Sequence, residues 1–175
     1  MIKSDRLLLR RWQPSDYEPF AALNADSEVM RYFPMMLSRA ESDEMINRIE
    51  AHHEAHGFGF WAVELQSSGE FMGMIGLSIP NFRSHFTPTV EIGWRLAQEF
   101  WGHGYATEGA KACLDYGFER LQLSEIVSFT ATVNHRSMAV MKRLGMTTDE
   151  AENFDHPNLP LGHVLQPHVL YRIRS

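Results

Sequence analysis

One short stretch limits the architecture of this chain more than any other. Trp101-Gly102-His103-Gly104-Tyr105-Ala106-Thr107-Glu108 stands between an apolar, strand-like run, Val90 to Leu96, and a run with helical periodicity that begins at Tyr105. Two glycines where a strand turns into a helix let the backbone enter positive φ and approach a ligand closely. They also aim successive N–H groups at one point before a helix N-terminus, where partial positive charge collects. A tight loop ahead of a helix start accounts for the bare glycines as well. Two nucleotide-binding motifs fit poorly. A P-loop requires Lys followed by Ser or Thr after its last glycine, but Tyr105-Ala106 follows Gly104. A dinucleotide fingerprint requires a third glycine where Thr107 stands, and an N-terminal parallel unit around it.

The rest of the chain supplies elements on both sides of that turn. Leu7-Leu8-Leu9 reads as a first strand. Ser15 with Glu18, and Ser38 with Glu41, have capping-box spacing, predicting helices to about Asn24 and to just before Gly57. Between them, 31–36 is an apolar loop. Phe60–Leu65 and Phe71–Ile79 flank the turn Ser67-Ser68-Gly69-Glu70 and predict a hairpin. After the polar loop 80–88 come a strand to Leu96, a helix over Tyr105–Leu121, a strand over Ile126–Val133, a helix over Ser137–Leu144 and a last strand over Val169–Ile173. The helix carries Ala106, Ala110, Cys113, Leu114 and Gly117 at core spacing. The predicted class is a single α/β (α+β) domain over 1–175, with a mixed, mostly antiparallel sheet, about four helices and one right-handed parallel crossover over 90–133.

Composition narrows the partners. With 44% hydrophobic and 22% charged residues the chain reads as an ordinary globular domain, and a net charge of -6 argues against nucleic-acid binding by phosphate neutralisation. The single cysteine, Cys113, excludes an internal disulfide and permits a reducing compartment. Met1 to Arg6 does not read as a signal sequence and no apolar run reaches membrane-spanning length, so a cytoplasmic protein with no membrane partner is expected. His52 and His56 have metal-ligand spacing, but without the Glu of H-E-x-x-H or a nearby Cys they read as a solvated helix end, and no metal is expected.

A second signal lies at Asn134-His135-Arg136-Ser137, ahead of a short helix ending Leu144-Gly145-Met146. Asn134 can cap that helix, and it falls on the C-terminal edge of the strand beside the glycine turn, where α/β proteins bind ligands. Together with Glu91-Ile92-Gly93-Trp94-Arg95-Leu96, Phe100 to Glu108, the opening Arg6-Leu7-x-Leu9-Arg10 and the Trp61 strand, these residues resemble the GCN5-related N-acetyltransferase (GNAT) superfamily. The closer likeness is to its ribosomal-protein (RimJ/RimL-like) branch, over roughly residues 3–147.

The resemblance implies the superfamily fold and acetyl-CoA as donor. It implies that amides of Trp101, Gly102, His103, Gly104, Tyr105 and Ala106, helped by the Thr107 hydroxyl, hold the pyrophosphate. The pantetheine arm would lie in a V between the strand of Glu91 and Trp94 and that of Thr130 and Thr132. Glu99 stands where the superfamily often has Gln or Arg, which leaves the backbone role intact. Met141 stands where many members carry a tyrosine acid, and the branch's alternative is Ser137.

Attack on a thioester requires a neutral amine, so a base is useful. Glu91 is the candidate base, acting through water; its alternate-face reading is a side chain in solvent. Backbone N–H groups near Trp94 and Leu96 would polarise the acetyl carbonyl. Asn134 would bond the pantetheine or orient the sulfur, and Ser137 would protonate the thiolate or simply cap its helix. His156 or His163 in the tail is an alternative base or a loop histidine. The expected acceptor is a small-molecule amine or a protein N-terminus. Residues 32–36 could line its site or a homodimer contact. A different class of function, a non-catalytic module that binds or senses CoA, shares the cradle without turnover.

Overall fold

In a computed structural model that describes residues 1–175, the glycine turn lies in the middle of a nine-stranded sheet. The strands are β1 (Ile2–Lys3), β2 (Leu7–Arg10), β3 (Phe60–Leu65), β4 (Glu70–Ser78), β5 (Glu91–Leu96), β6 (Glu125–Ala131), β7 (Thr147–Thr148), β8 (Phe154–Asp155) and β9 (Pro167–Arg174). Their order is β1-β2-β3-β4-β5-β6-β9-β7, with β8 beside β9. Every pairing is antiparallel except β5 with β6, which is parallel and joined through helix α3 (Tyr105–Glu119). Helices α1 (Tyr17–Asn24), α2 (Arg39–His56) and α4 (His135–Arg143) complete the four. The predicted mixed sheet with one parallel crossover is the architecture observed.

The two faces of the sheet bury different sets. Leu7, Leu9, Val63, Ile75, Leu77 and Ile92 form the larger core with Ala110, Cys113 and Leu114 of α3. On the opposite face Trp12, Phe20, Leu23, Ile46, Ile49, Ala62 and Met74 pack around α1 and α2. Helix α2 buries Ser42, Ile46, Ile49 and His53, the three- and four-residue spacing of one helical stripe. Each buried aliphatic there contributes about 1.5–3 kcal/mol. Its start is the predicted box: Ser38 Oγ accepts from Glu41 N, and a Glu41 carboxylate oxygen accepts from Ser38 N at 2.7 Å.

The central strands part soon after they meet. β5 and β6 share a single register pair, Glu91 with Val127. The Val127 N–H donates to the Val90 carbonyl at 3.0 Å, and Ser128 Oγ donates to the Ile92 carbonyl at 2.9 Å. Beyond these contacts the ladder ends, leaving a V that opens toward the C-terminal ends of both strands, as expected. A bulge in β4 shifts its register between Val63 and Glu64 of β3. Gly73 takes φ 136° at this irregularity, and a Cβ there would stand 2.2 Å from the Arg95 carbonyl, so only glycine lets β4 approach β5 at this point.

Several boundaries differ from the sequence expectation. The Ser15–Glu18 box does not form. Residues Pro14–Asp16 make a 3-10 turn, Asp16 accepts from Gln13 N at 2.8 Å, and α1 starts at Tyr17. The reason is a charged partner six residues back: the Arg10 guanidinium grips the buried Asp16 carboxylate at 2.7 and 2.9 Å and also bonds Glu64 on β3 at 2.8 Å. A paired, charge-assisted site outweighs an exposed serine cap. Helix α3 stops at Glu119, and Gln122 turns the chain at φ 55°. β6 stops at Ala131 because Asn134 N bonds back to the Ala131 carbonyl at 2.8 Å, and α4 begins at His135. The two-residue strands β1, β7 and β8 were not foreseen; each is too short to carry an alternating pattern.

Candidate functional site

The cradle is built from unused backbone donors. After β5 a 3-10 turn over Gln98–Phe100 leads to Trp101, whose N–H donates to the Gln98 carbonyl at 3.1 Å. From Gly102 to Thr107 no amide has an acceptor within the protein; the next to find one is Glu108, on the Gly104 carbonyl at 3.0 Å. Gly102 and Gly104 take φ 81° and 80°. A run of free N–H groups through left-handed glycines into a helix start fits a phosphate or pyrophosphate. Of the amides assigned to that role, those of Gly102, His103, Gly104, Tyr105 and Ala106 are free, whereas that of Trp101 is spent internally. The Thr107 hydroxyl makes no internal hydrogen bond.

Neighbouring side chains hold the turn in place. Glu108 accepts from Ser4 Oγ at 2.7 Å and from the backbone and guanidinium of Arg6 at 2.8 and 2.6 Å. Arg6 also donates to the His103 carbonyl at 3.1 Å and lies 4.4 Å over the Tyr105 ring. Trp101 is fixed by its indole N–H on the Leu96 carbonyl at 2.9 Å, and Arg136 of α4 stacks 4.6 Å over it. Arg136 has no carboxylate partner, which leaves one uncompensated cation beside the cradle. The stacking roles of Arg6 and Arg136 could not be read from a cation and an aromatic far apart in sequence.

Asn134 and Ser137 reach the same edge. Asn134 caps α4, its Oδ1 accepting from Ser137 N at 3.3 Å while its Nδ2 donates to Thr130 Oγ1 at 2.9 Å. One amide therefore ties the end of β6 to the start of α4. Ser137 is half-buried and its hydroxyl is unpartnered. Met141 is buried in the larger core.

Glu91 lies elsewhere, at the root of the V. It opposes Ser78 on β4 and Val127 on β6, five residues before Leu96, roughly 16 Å of strand from the cradle end. Glu91, Gly93 and Arg95 project to the α1–α2 face, whereas Ile92, Trp94 and Leu96 serve the opposite core. Glu91 is half-buried, in no ion pair, and desolvation pushes its carboxyl up to about 8. Gly93 leaves room for the Phe60 ring, which stands 3.1 Å from where a Cβ would be. The side chains of Trp94 and Leu96 pack with the larger core on the other face.

The tail forms one wall of that face. Phe82 and Phe86 of the 80–88 loop gather with Phe129, Phe154, His156 and His168 beside Val127 and Leu170. A cleft of about 280 Å³ opens between Thr132, Phe154, Asp155 and His168. Burial, with the facing His168 ring at 4.9 Å, pulls His156 down to about 4. The Nδ1 atoms of His156 and His163 accept backbone N–H groups of Asn158 and Leu165. Both nitrogens of His52 are likewise engaged, Nδ1 with the Phe58 carbonyl at 2.8 Å and Nε2 with Ile79 N at 3.2 Å. His52 therefore bridges α2 to β4 and presents no lone pair to a metal. No helix of the protein is long and apolar enough to cross a membrane.

Comparison with known proteins points one way. The family model described as the acetyltransferase (GNAT) domain matches residues 6–147. The chain is similar to the protein YkkB of Bacillus subtilis, 33% identical over 83% of this chain and 84% of that one. It is also similar to an FsC-acetyl coenzyme A-N(2)-transacetylase of Aspergillus fumigatus, 40% identical over 58% of this chain and 45% of that one. Among solved structures, a GNAT-family acetyltransferase from Bacillus anthracis superposes with a TM-score of 0.81 at 28% identity, covering 99% of this chain and 97% of that one.

Proposed function

The chain belongs to the acetyltransferase (GNAT) domain family and is an acetyl-CoA-dependent acyltransferase, and from that premise we propose that it moves the acetyl group to a primary amine by direct attack in a ternary complex. The acceptor is a small-molecule amine or a protein N-terminal α-amine. The observation that carries this reading is the run of free amides from Gly102 to Thr107 at the open end of the β5–β6 V. A named N(2)-transacetylase among the relatives supports an amine as acceptor.

Acetyl-CoA supplies an activated acetyl thioester. The amides from Gly102 to Ala106 and the Thr107 hydroxyl would hold its pyrophosphate, with Arg136 adding positive charge. The gap between β5 and β6 would take the pantetheine arm, placing the reacting carbon toward Glu91. Glu91, its affinity for a proton raised into the range of neutral water, would take a proton from the ammonium through a water molecule. Ser137 would return a proton to the departing sulfur. Asn134 positions the end of the gap, because its amide already ties Thr130 to Ser137. Much of the rate would come from holding amine and thioester together.

The direct test is CoA release from acetyl-CoA in the presence of ribosomal-protein peptides, polyamines and amino acids, alongside calorimetric binding of acetyl-CoA. Release with at least one class is the expected result. Binding without release across the panel favours a CoA-sensing module, and a preference for ATP or NAD over acetyl-CoA sinks both.

A further inference from the structure

Arg95 is the least explained charge in the protein. Only two arginines are buried, Arg10 and Arg95, at 8% and 7% exposure. Arg10 is satisfied by Asp16 and Glu64. Arg95 has no carboxylate within 4.0 Å. Its Nη1 donates to Asn24 Oδ1 at 2.6 Å and touches Met45 sulfur at 3.8 Å, and Phe33 stacks on one face of the guanidinium at 4.1 Å. Its Nε is the one buried side-chain nitrogen or oxygen in the protein without a hydrogen-bond partner. Nη2 makes no protein hydrogen bond and keeps contact with solvent.

The unused atoms are therefore neighbours, Nε and Nη2, the edge of a guanidinium that grips a carboxylate with two parallel hydrogen bonds. Elsewhere in the chain, on Arg6, Arg10, Arg11, Arg39, Arg172 and Arg174, Nε donates to a carboxylate. Stripping water from Arg95 has already lowered its affinity for a proton, to about 10. That desolvation is met in the free protein, so an arriving anion gains the pairing without the usual cost at Nε. The cation is also well placed, two residues beyond Gly93 and four beyond Glu91 on the same face of β5. The α1–α2 segment that supplies Phe33 also carries exposed Met35 and Met36.

We propose that the Nε–Nη2 edge of Arg95 receives a carboxylate of the acceptor, making this an acetyltransferase for amines that also carry an acid group, such as amino acids, rather than for polyamines. This rests on the acetyl-transfer reading above. Arg95 is then a positioning residue: it fixes the acid end of the acceptor on the α1–α2 face of β5, beside the β5–β6 gap that would hold the thioester.

The test compares amines that differ only by a carboxylate, L-phenylalanine with phenethylamine and 4-aminobutyrate with propylamine. The wild type is expected to favour the acid member in kcat/KM by on the order of 10- to 100-fold. In Arg95→Lys and Arg95→Met that ratio falls toward one, through KM of the acid member rather than through kcat. A wild-type ratio of one or below, or a ratio unchanged in both variants, overturns the proposal. A second readout does not depend on turnover. The Nε–H resonance of Arg95, assigned by its loss in Arg95→Lys, is followed as N-acetyl-phenylalanine or N-acetyl-phenethylamine is added to the CoA-saturated protein. A shift with the acid alone supports the anion site even if no amine is acetylated, in which case only the transfer reading fails. No shift with either overturns the site whatever the activity.

Discussion

Glu108, on the first turn of α3, is bound by both the backbone amide and the guanidinium of Arg6, 102 residues earlier, at 2.8 and 2.6 Å. The pair pins the end of the cradle to the N-terminal strand region, and Arg6 extends the hold to the His103 carbonyl. Glu108→Ala is expected to cost about 1–2 kcal/mol of stability, because Ser4 Oγ and two Arg6 donors lose their acceptor. Acetyl-CoA binding should weaken several-fold. Calorimetry and thermal melts on Glu108→Ala, Arg6→Ala and the double variant check this; additive losses would mean that the two residues act separately.

A Cβ added at Gly104 would meet only open space, the nearest atom being Arg6 Nη2 at 3.7 Å. Any effect of Gly104→Ala must therefore come from φ 80°, not crowding. The expected cost is about 1 kcal/mol in stability, with acetyl-CoA affinity falling about tenfold as the free amides turn away from one another. Unchanged affinity in a titration would show that the cradle does not hold the donor.

Much of this was legible before any coordinates. The hairpin, the glycine turn, the Ser38–Glu41 box and the V each follow from patterns within a dozen residues or from the family likeness. What escaped has a common cause. Asp16 displaced the Ser15 cap because Arg10, itself held by Glu64 from the neighbouring strand, grips it, and no capping pattern encodes that meeting. Arg95 interrupts an apolar strand, a signal that something unusual faces it, yet its missing partner is visible only in three dimensions. The face taken by Glu91 depends on strand phase, which the glycine at 93 left open.

Glu91 carries a pH signature. Its folded carboxyl sits near 8, above the unfolded carboxylate value near 4.5. Between those values the folded state binds the extra proton, so this group makes stability fall as pH rises from about 4.5 to about 8, and its ionised form is disfavoured above that. Glu91→Gln should therefore melt higher than wild type at pH 9 by an amount on the order of 2 kcal/mol, with little difference at pH 5. Turnover should show the opposite trend: wild-type kcat rises with pH through about 8, and Glu91→Gln is at least tenfold slower with that rise gone. A variant keeping the wild-type profile assigns the base elsewhere.

Ser137→Ala removes a hydroxyl that touches no protein acceptor, while the cap from Asn134 to the residue 137 amide survives. Stability should stay within about 0.5 kcal/mol, and kcat should drop about tenfold with acetyl-CoA affinity retained. Full activity in a single-turnover assay would remove Ser137 from the proton path.

His156 is held neutral, down to about 4, by burial and by His168, itself lowered and facing Asp155. Phe82, Phe129 and Phe154 complete the surroundings of His156. An unfolded histidine takes its proton near 6.5, so the unfolded state binds more protons below that value. The stability lost between about 6.5 and 4 from this residue is on the order of 2 kcal/mol. His156→Phe should flatten that part of a melting-temperature profile; an unaltered acid limb would place the sensitivity in other groups.

A sheet usually frays from its rims inward, its middle strands exchanging their amide protons last. The parting of β5 from β6 beyond Glu91 and Val127 reverses that order. Here the seam at the centre is the part whose main-chain hydrogens are least defended, while β3 and β4, nearer one rim, are laddered along their length. Among the longer strands deuterium should enter first at this central seam, and a ligand threaded between those strands would close the entry as an added strand would, so that occupancy is written directly into the exchange map.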